Sequence, residues 1–111
     1  MTELRRGDVV HYGERGEFTG KLRPGVIVQH SATLADAPSI TLCGLTSTQV
    51  PANNARVAVI PSVGNGLDRD SFVMVDKIAS IGRGRIRQVF GQLDPSDIDA
   101  VDKALRSWLQ L

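Results

Sequence analysis

The residues best suited to chemistry in this chain are one arginine and a short run of hydroxyls. Arg23 stands immediately before Pro24, where a glycine-bearing stretch, Gly13–Leu22, gives way to the apolar segment Gly25-Val26-Ile27-Val28. A guanidinium there is anchored by a rigid segment and remains within reach of a ligand under the loop. Thr46-Ser47-Thr48 closes the next apolar segment, so a hairpin between the two segments brings its hydroxyls towards Arg23. Guanidinium and hydroxyl donors together suit a phosphate. A surface arginine and a Ser/Thr-rich turn have the same spelling, and spacing alone leaves both readings open.

Other arrangements offer less. His11, His30 and Cys43 are scattered, without Cys-x-x-Cys or His-x-x-x-His spacing, so no metal site is expected and the histidines read as packing residues. Cys43 lies in an alternating apolar segment and reads as a small buried hydrophobe, while Ser47 and Ser62 lack a nucleophile-elbow context. Gly64-Asn65-Gly66 and Gly82-Arg83-Gly84 lack P-loop or dinucleotide spacing and read as turns. Arg83, Arg85 and Arg87 are spaced by two. On an extended segment they share a face, either tracking a phosphate backbone or shielding a sheet edge with charge.

The elements that must position these groups are mostly strands. The pattern predicts strands over 8–12, 25–30, 39–46, 56–60, 71–75 and 86–90, with Pro24 at a strand start or edge because it has no N–H for a ladder. The period changes at Asp94-Pro95, an N-cap followed by proline at the first helical position. Ile98, Val101, Leu105, Trp108 and Leu109 then form one apolar stripe, which places Trp108 in the core. Several short strands and one terminal helix point to a strongly curved antiparallel sheet or partly closed barrel.

Composition narrows the class. The chain has 111 residues, 41% of them hydrophobic, with a net charge of +1 and one cysteine. One domain with its own core is expected, and the lone Cys43 fits a reducing compartment. The N-terminus carries acids where a signal peptide would not, and no apolar run approaches the roughly 20 residues of a membrane span. Residues 1–93 carry a net +3 and the remainder −2, a balance that permits a nucleic-acid partner without requiring one.

Taken in order, five segments resemble the MazF/PemK (Kid) family of toxin ribonucleases. Arg6-Gly7-Asp8-Val9-Val10 resembles its opening strand, and Leu22-Arg23-Pro24-Gly25-Val26-Ile27-Val28-Gln29 its Arg-Pro motif. Leu45-Thr46-Ser47, the stretch from Gly66-Leu67-Asp68 to Asp76-Lys77-Ile78, and the spacing of Val101 to Leu109 follow in the family's order. The resemblance implies a mainly β fold, an SH3-like β-barrel with a C-terminal α-helix, forming one domain over residues 1–111. It also implies a cytoplasmic homodimer that cleaves single-stranded RNA sequence-selectively, without metal or cofactor, and is inhibited by a cognate antitoxin protein.

The family's catalytic arginine and threonine fall on Arg23 and Thr46. Arg23 would hold the scissile phosphate and Thr46 the reacting oxygens, with the neighbouring 2′-hydroxyl as nucleophile. Pro24, Ser47, Asp76 and Lys77 fall in the matched motifs as RNA-binding positions, although Asp76 equally suits a brace. Two positions depart from the pattern. Phe18 stands where members carry a Glu, with Glu17 one residue away, and Met74 stands where some members carry an Arg. The general base and acid are therefore Glu17, Asp76 or neither. Two rival expectations use the same scaffold: a CcdB-like gyrase poison acting through Ser107-Trp108, and a non-catalytic member that binds RNA or a partner. The antitoxin is expected at the Gly13–Leu22 loop and the RNA groove, since covering the site is the simplest inhibition.

Overall fold

A computed structural model describes residues 3–13, 21–48 and 55–111. The readings of Glu17 and Phe18 lie outside the described residues. Six strands form one antiparallel sheet: β1 (Asp8–Gly13), β2 (Leu22–Ile27), β3 (Ser39–Thr46), β4 (Arg56–Val59), β5 (Ser71–Gly82) and β6 (Ile86–Gln92), in the order β4-β5-β3-β2-β1-β6. One helix, α1 (Pro95–Leu109), follows. The mainly β architecture with a terminal helix is as expected, but the barrel is not closed: among the described residues β4 and β6 remain the two free ends of the sheet.

Both faces of this sheet are buried at its centre. Successive side chains of a strand point to opposite faces, and the paired apolar steps Val9-Val10, Val26-Ile27 and Leu42-Cys43 therefore feed two cores. Val9, Val26, Cys43 and Leu45 pack with Val101 and Leu105 of α1. Val10, Ile27 and Leu42 pack with Leu4, Leu34 and Ile86 on the other side.

β2 begins three residues earlier than the pattern predicts, because Leu22, Arg23 and Pro24 pair with Gly13, Tyr12 and His11 of β1. On its other side β2 pairs with β3 only over Gly25–Ile27. The reason lies in Pro24. The Val28 N–H donates to Thr41 O at 3.1 Å, and backbone groups of alternate strand residues point the same way. The nitrogen of Pro24 therefore faces β3 with no proton to give, and the two central strands part there.

β5 is longer than predicted. Gly44 pairs with Met74 but Cys43 with Ile78, so Val75-Asp76-Lys77 is a bulge that lets one strand serve both halves of β3. The alternating arginines are a correction. Arg83–Arg85 is a 3-10 turn, not a strand. Arg83 Nη1 donates to Leu34 O and Ala37 O, and Arg85 Nε donates to Gly13 O at 2.8 Å. Two of the three guanidiniums tie loops to the sheet, and no shared row exists.

Asp94 caps α1, its carboxylate accepting from the Asp97 N–H at 2.9 Å, with Pro95 in the first turn. Val101 and Leu105 are buried, but Trp108 is 54% exposed and Leu109 and Leu111 are exposed too. The core reading of Trp108 is thus wrong: the buried stripe ends at Leu105, and the last turn runs on past the residues that cover it.

The Asp97 N–H, then the Ser96 hydroxyl, hold the Asp94 carboxyl below the usual carboxylate value. A lowered folded-state value means stability present above the unfolded value and lost as pH falls through the folded one. Asp94→Ala should therefore lower the melting temperature at pH 7, and the deficit should shrink on acidification, as circular dichroism at pH 7 and pH 3 would read.

Candidate functional site

Strand register decides which side chains can act together. Residues directly opposite in an antiparallel pair share a face, as do residues two apart on one strand. Tyr12 opposes Arg23, Gly25 opposes Gly44, Gly44 opposes Met74, and Met74 opposes Arg56. Thr46 is two residues beyond Gly44. Tyr12, Arg23, Thr46, Met74 and Arg56 therefore stand on one face. The β2–β3 register, continued past its last pair, sets Arg23 opposite Thr46.

The middle of this face has no side chains of its own. A Cβ at Gly25 would lie 3.0 Å from Tyr12 Cε1, and one at Gly44 would lie 2.9 Å from Met74 Cε. Tyr12 and Met74 thus lie over the two glycines, in space that a Cβ would take. The Thr46 hydroxyl oxygen accepts from the Thr48 N–H at 3.1 Å, which leaves its own proton to donate. Arg23 is exposed at the rim.

A groove of about 550 Å³ opens where β2 and β3 part. Pro24, Leu45, Thr46 and Ser47 line one side, and Gly66, Leu67, Asp68, Arg69 and Ser71 the other. His11 and Phe90 line it as well, their rings stacked with centroids 4.2 Å apart. The far wall is fixed by Asn65. Its Oδ1 accepts from the Ser62 and Leu67 N–H groups, each at 3.0 Å, and its Nδ2 donates to Ile60 O at 2.9 Å. Gly66 follows at φ +70°, where a Cβ would meet Phe90 O at 2.3 Å; only glycine lets the loop lie so close to β6.

Residues 5–109 match the family of PemK-like, MazF-like toxins of type II toxin-antitoxin systems. The chain belongs to that family. It is 33% identical over 106 residues to a probable endoribonuclease MazF of Mycolicibacterium smegmatis, with 96% of each chain covered. Its fold is similar to that of a solved endoribonuclease from a mycobacterial species, with a TM-score of 0.81 and 23% identity over 100% of this chain and 95% of that one. A structure of a mycobacterial endoribonuclease in complex with its cognate antitoxin aligns with a TM-score of 0.78 and 22% identity over 100% of this chain and 97% of that one.

Within this MazF-like chain the expected site residues fall into two groups. Pro24, Thr46 and Ser47 line the groove, whereas Arg23 points to the opposite face of the sheet from Pro24, His11 and Leu45, and Asp76 and Lys77 lie on the β5 bulge. Asp76 is engaged by Arg56, with Nε to Oδ1 at 2.9 Å and Nη2 to Oδ2 at 3.2 Å. These hydrogen bonds hold the Asp76 carboxyl below its usual value, against a smaller opposing effect of desolvation. Lys77 is exposed.

Other candidates lie elsewhere. Cys43 is buried, and burial pushes its thiol up to about 12, which suppresses the thiolate. His30 accepts from the Ala32 N–H and caps a 3-10 turn. Tyr12, Arg56, the His11–Phe90 stack and Asp68-Arg69 were not expected from sequence. Each joins the site through a partner distant in the chain, so no local spacing signals it.

Asp76→Ala should cost about 1.5–3 kcal/mol at pH 7, the range for hydrogen bonds to a charged group. Because the folded-state value is lowered, this contribution is complete above the unfolded carboxyl value of about 4 and disappears as pH falls through the folded one. Urea unfolding of both proteins should give midpoints that differ at pH 7 and draw together as the pH is lowered below about 4.

Proposed function

We propose that the Arg23–Thr46 face cleaves single-stranded RNA without a metal ion, and does so selectively for sequence. The chain is an endoribonuclease of the MazF-like toxin family. One observation carries the finer reading: strand register sets a guanidinium and a donor hydroxyl on one face, beside a floor of two glycines.

In the reaction the 2′-oxygen loses its proton and bonds to the adjacent phosphorus. The bond from phosphorus to the 5′-oxygen breaks, and that oxygen gains a proton. The products are a 2′,3′-cyclic phosphate and a 5′-hydroxyl. Arg23 holds the phosphate and offsets the charge that grows on its oxygens, while the Thr46 hydroxyl donates to one of them. Such prepositioned donors act most strongly where charge develops in the transition state. Pro24 and Ser47 contact the RNA in the groove. Lys77 takes a backbone phosphate on the bulge, and Asp76 meets the RNA there while bracing Arg56.

The protein works as a homodimer in the cytoplasm, with a cognate antitoxin as its inhibitor. Support for self-association comes from the end of α1, where Ile78, Leu105, Leu109 and Leu111, together with Arg6, Asp102 and Arg106, line an open groove, and where Trp108 is exposed. Support for the antitoxin comes from the structural neighbour solved with one. The gyrase-poison alternative is set aside because the family match and the relatives above point to ribonucleases.

Purified protein incubated with mixed-sequence single-stranded RNA in EDTA should give discrete fragments ending in cyclic phosphate. Arg23→Ala should lower kcat/KM by about 100-fold or more, the scale for losing one such donor. Full activity in both Arg23→Ala and Thr46→Ala would overturn the assignment. Sedimentation at micromolar concentration should give a dimer, and a monomer there would refute that part.

A further inference from the structure

We infer that the groove beside Thr46 is a nucleobase-reading subsite, in which one base of the RNA lies against the His11–Phe90 stack and is recognised by Asp68 and Arg69. The inference rests on the ribonuclease reading above and deepens it. Thr46 and Ser47 form part of the same groove, so a nucleotide lying in it passes the end of β3 where cleavage is placed, while His11, Pro24 and Leu45 of the groove stand on the face of the sheet opposite Arg23.

The groove has the parts that base recognition requires. Its stacked rings, 4.2 Å apart and inclined by 21°, present a flat, polarisable surface to which any base can add its own plane. Discrimination then needs hydrogen-bonding groups at the edge of that plane. Asp68 supplies an acceptor and Arg69 a forked donor, and both line the groove. The two side chains face each other at 3.6 Å and are largely exposed, so their mutual attraction is weak and parting to meet a base costs little. The backbone that carries them is rigid, however. Asn65 and Gly66 lock the preceding turn against β6, and the Ser71 hydroxyl donates to Arg69 O at 3.0 Å. Flexible side chains on a fixed loop can test a base edge without losing the register of the strand.

A protein segment from an inhibitor would also find the aromatic surface attractive. The RNA occupant is favoured because the groove is continuous with Thr46 and has paired donor and acceptor groups at its rim, which suit a planar ligand with both kinds of group on its edge.

The test compares cleavage sites in a randomised single-stranded RNA library, read by sequencing, for the wild type, Asp68→Ala, Arg69→Ala and Phe90→Leu. Asp68→Ala or Arg69→Ala should reduce the preference at one position of the recognition sequence by about tenfold, with the other positions unchanged. Phe90→Leu keeps an apolar side chain but removes the stack. It should raise KM on every sequence by roughly five- to a hundredfold, with kcat held within about threefold. Unchanged preferences in both loop variants would overturn this inference while leaving the ribonuclease reading intact. So would variants that lose only affinity for the antitoxin, which would make the groove an inhibitor site. No cleavage by the wild type would instead overturn the ribonuclease reading, and this subsite with it.

Discussion

A missing proton organises the site. Pro24 turns its nitrogen towards β3 with nothing to donate, and the ladder between the two central strands ends at the pair Gly25–Gly44. A sheet with an ordinary residue at that position would continue to zip, and the ends of β2 and β3 would fill their own hydrogen bonds. Because they part, Thr46, still paired with Phe72 of β5, and Ser47 face a groove on the β2 side. Arg23, just before the proline, is still held by β1 through its pairing with Tyr12. The same residue thus fixes one side of the guanidinium's backbone and opens the other.

Two further constraints shape the face beside that opening. Glycines at positions 25 and 44 carry no side chains, so Tyr12 and Met74 lie over them, in space that a Cβ would take. The β5 bulge then brings Asp76 to Arg56 while Val75 stays in the core. Both features cost backbone regularity, and both lie beside the proposed cleavage face and not in the packed centre of the sheet. The helix contributes by covering one core only as far as Leu105, which leaves Trp108 and Leu109 exposed in its last turn.

How much of this was legible in the sequence follows the range of the interactions. The start of α1 was readable because Asp94 and Pro95 act on their own neighbours. β3 matched its predicted span because alternation is a local property. The family resemblance singled out Arg23 and Thr46 as candidates, and their shared face became visible only through register. What sequence could not supply was set by distant partners. β5 extends past its first apolar run because β3 pairs with both halves of it. Arg83 and Arg85 looked like a surface row until Leu34, Ala37 and Gly13 took their donors. Trp108 kept the helical period but lay beyond the core it was meant to fill.

The pairing of β1 with β6 has a consequence for the order of synthesis. Gln92 Nε2 donates to Asp8 Oδ1 across 84 residues of chain, and His11 gains its stacking partner only when Phe90 is in place. Contacts so far apart form late, after the entropy of closing most of the chain has been met. A ribosome making this protein must polymerise at least as far as Phe90 before the groove can exist, so the translating complex is shielded from its own product over all of that stretch.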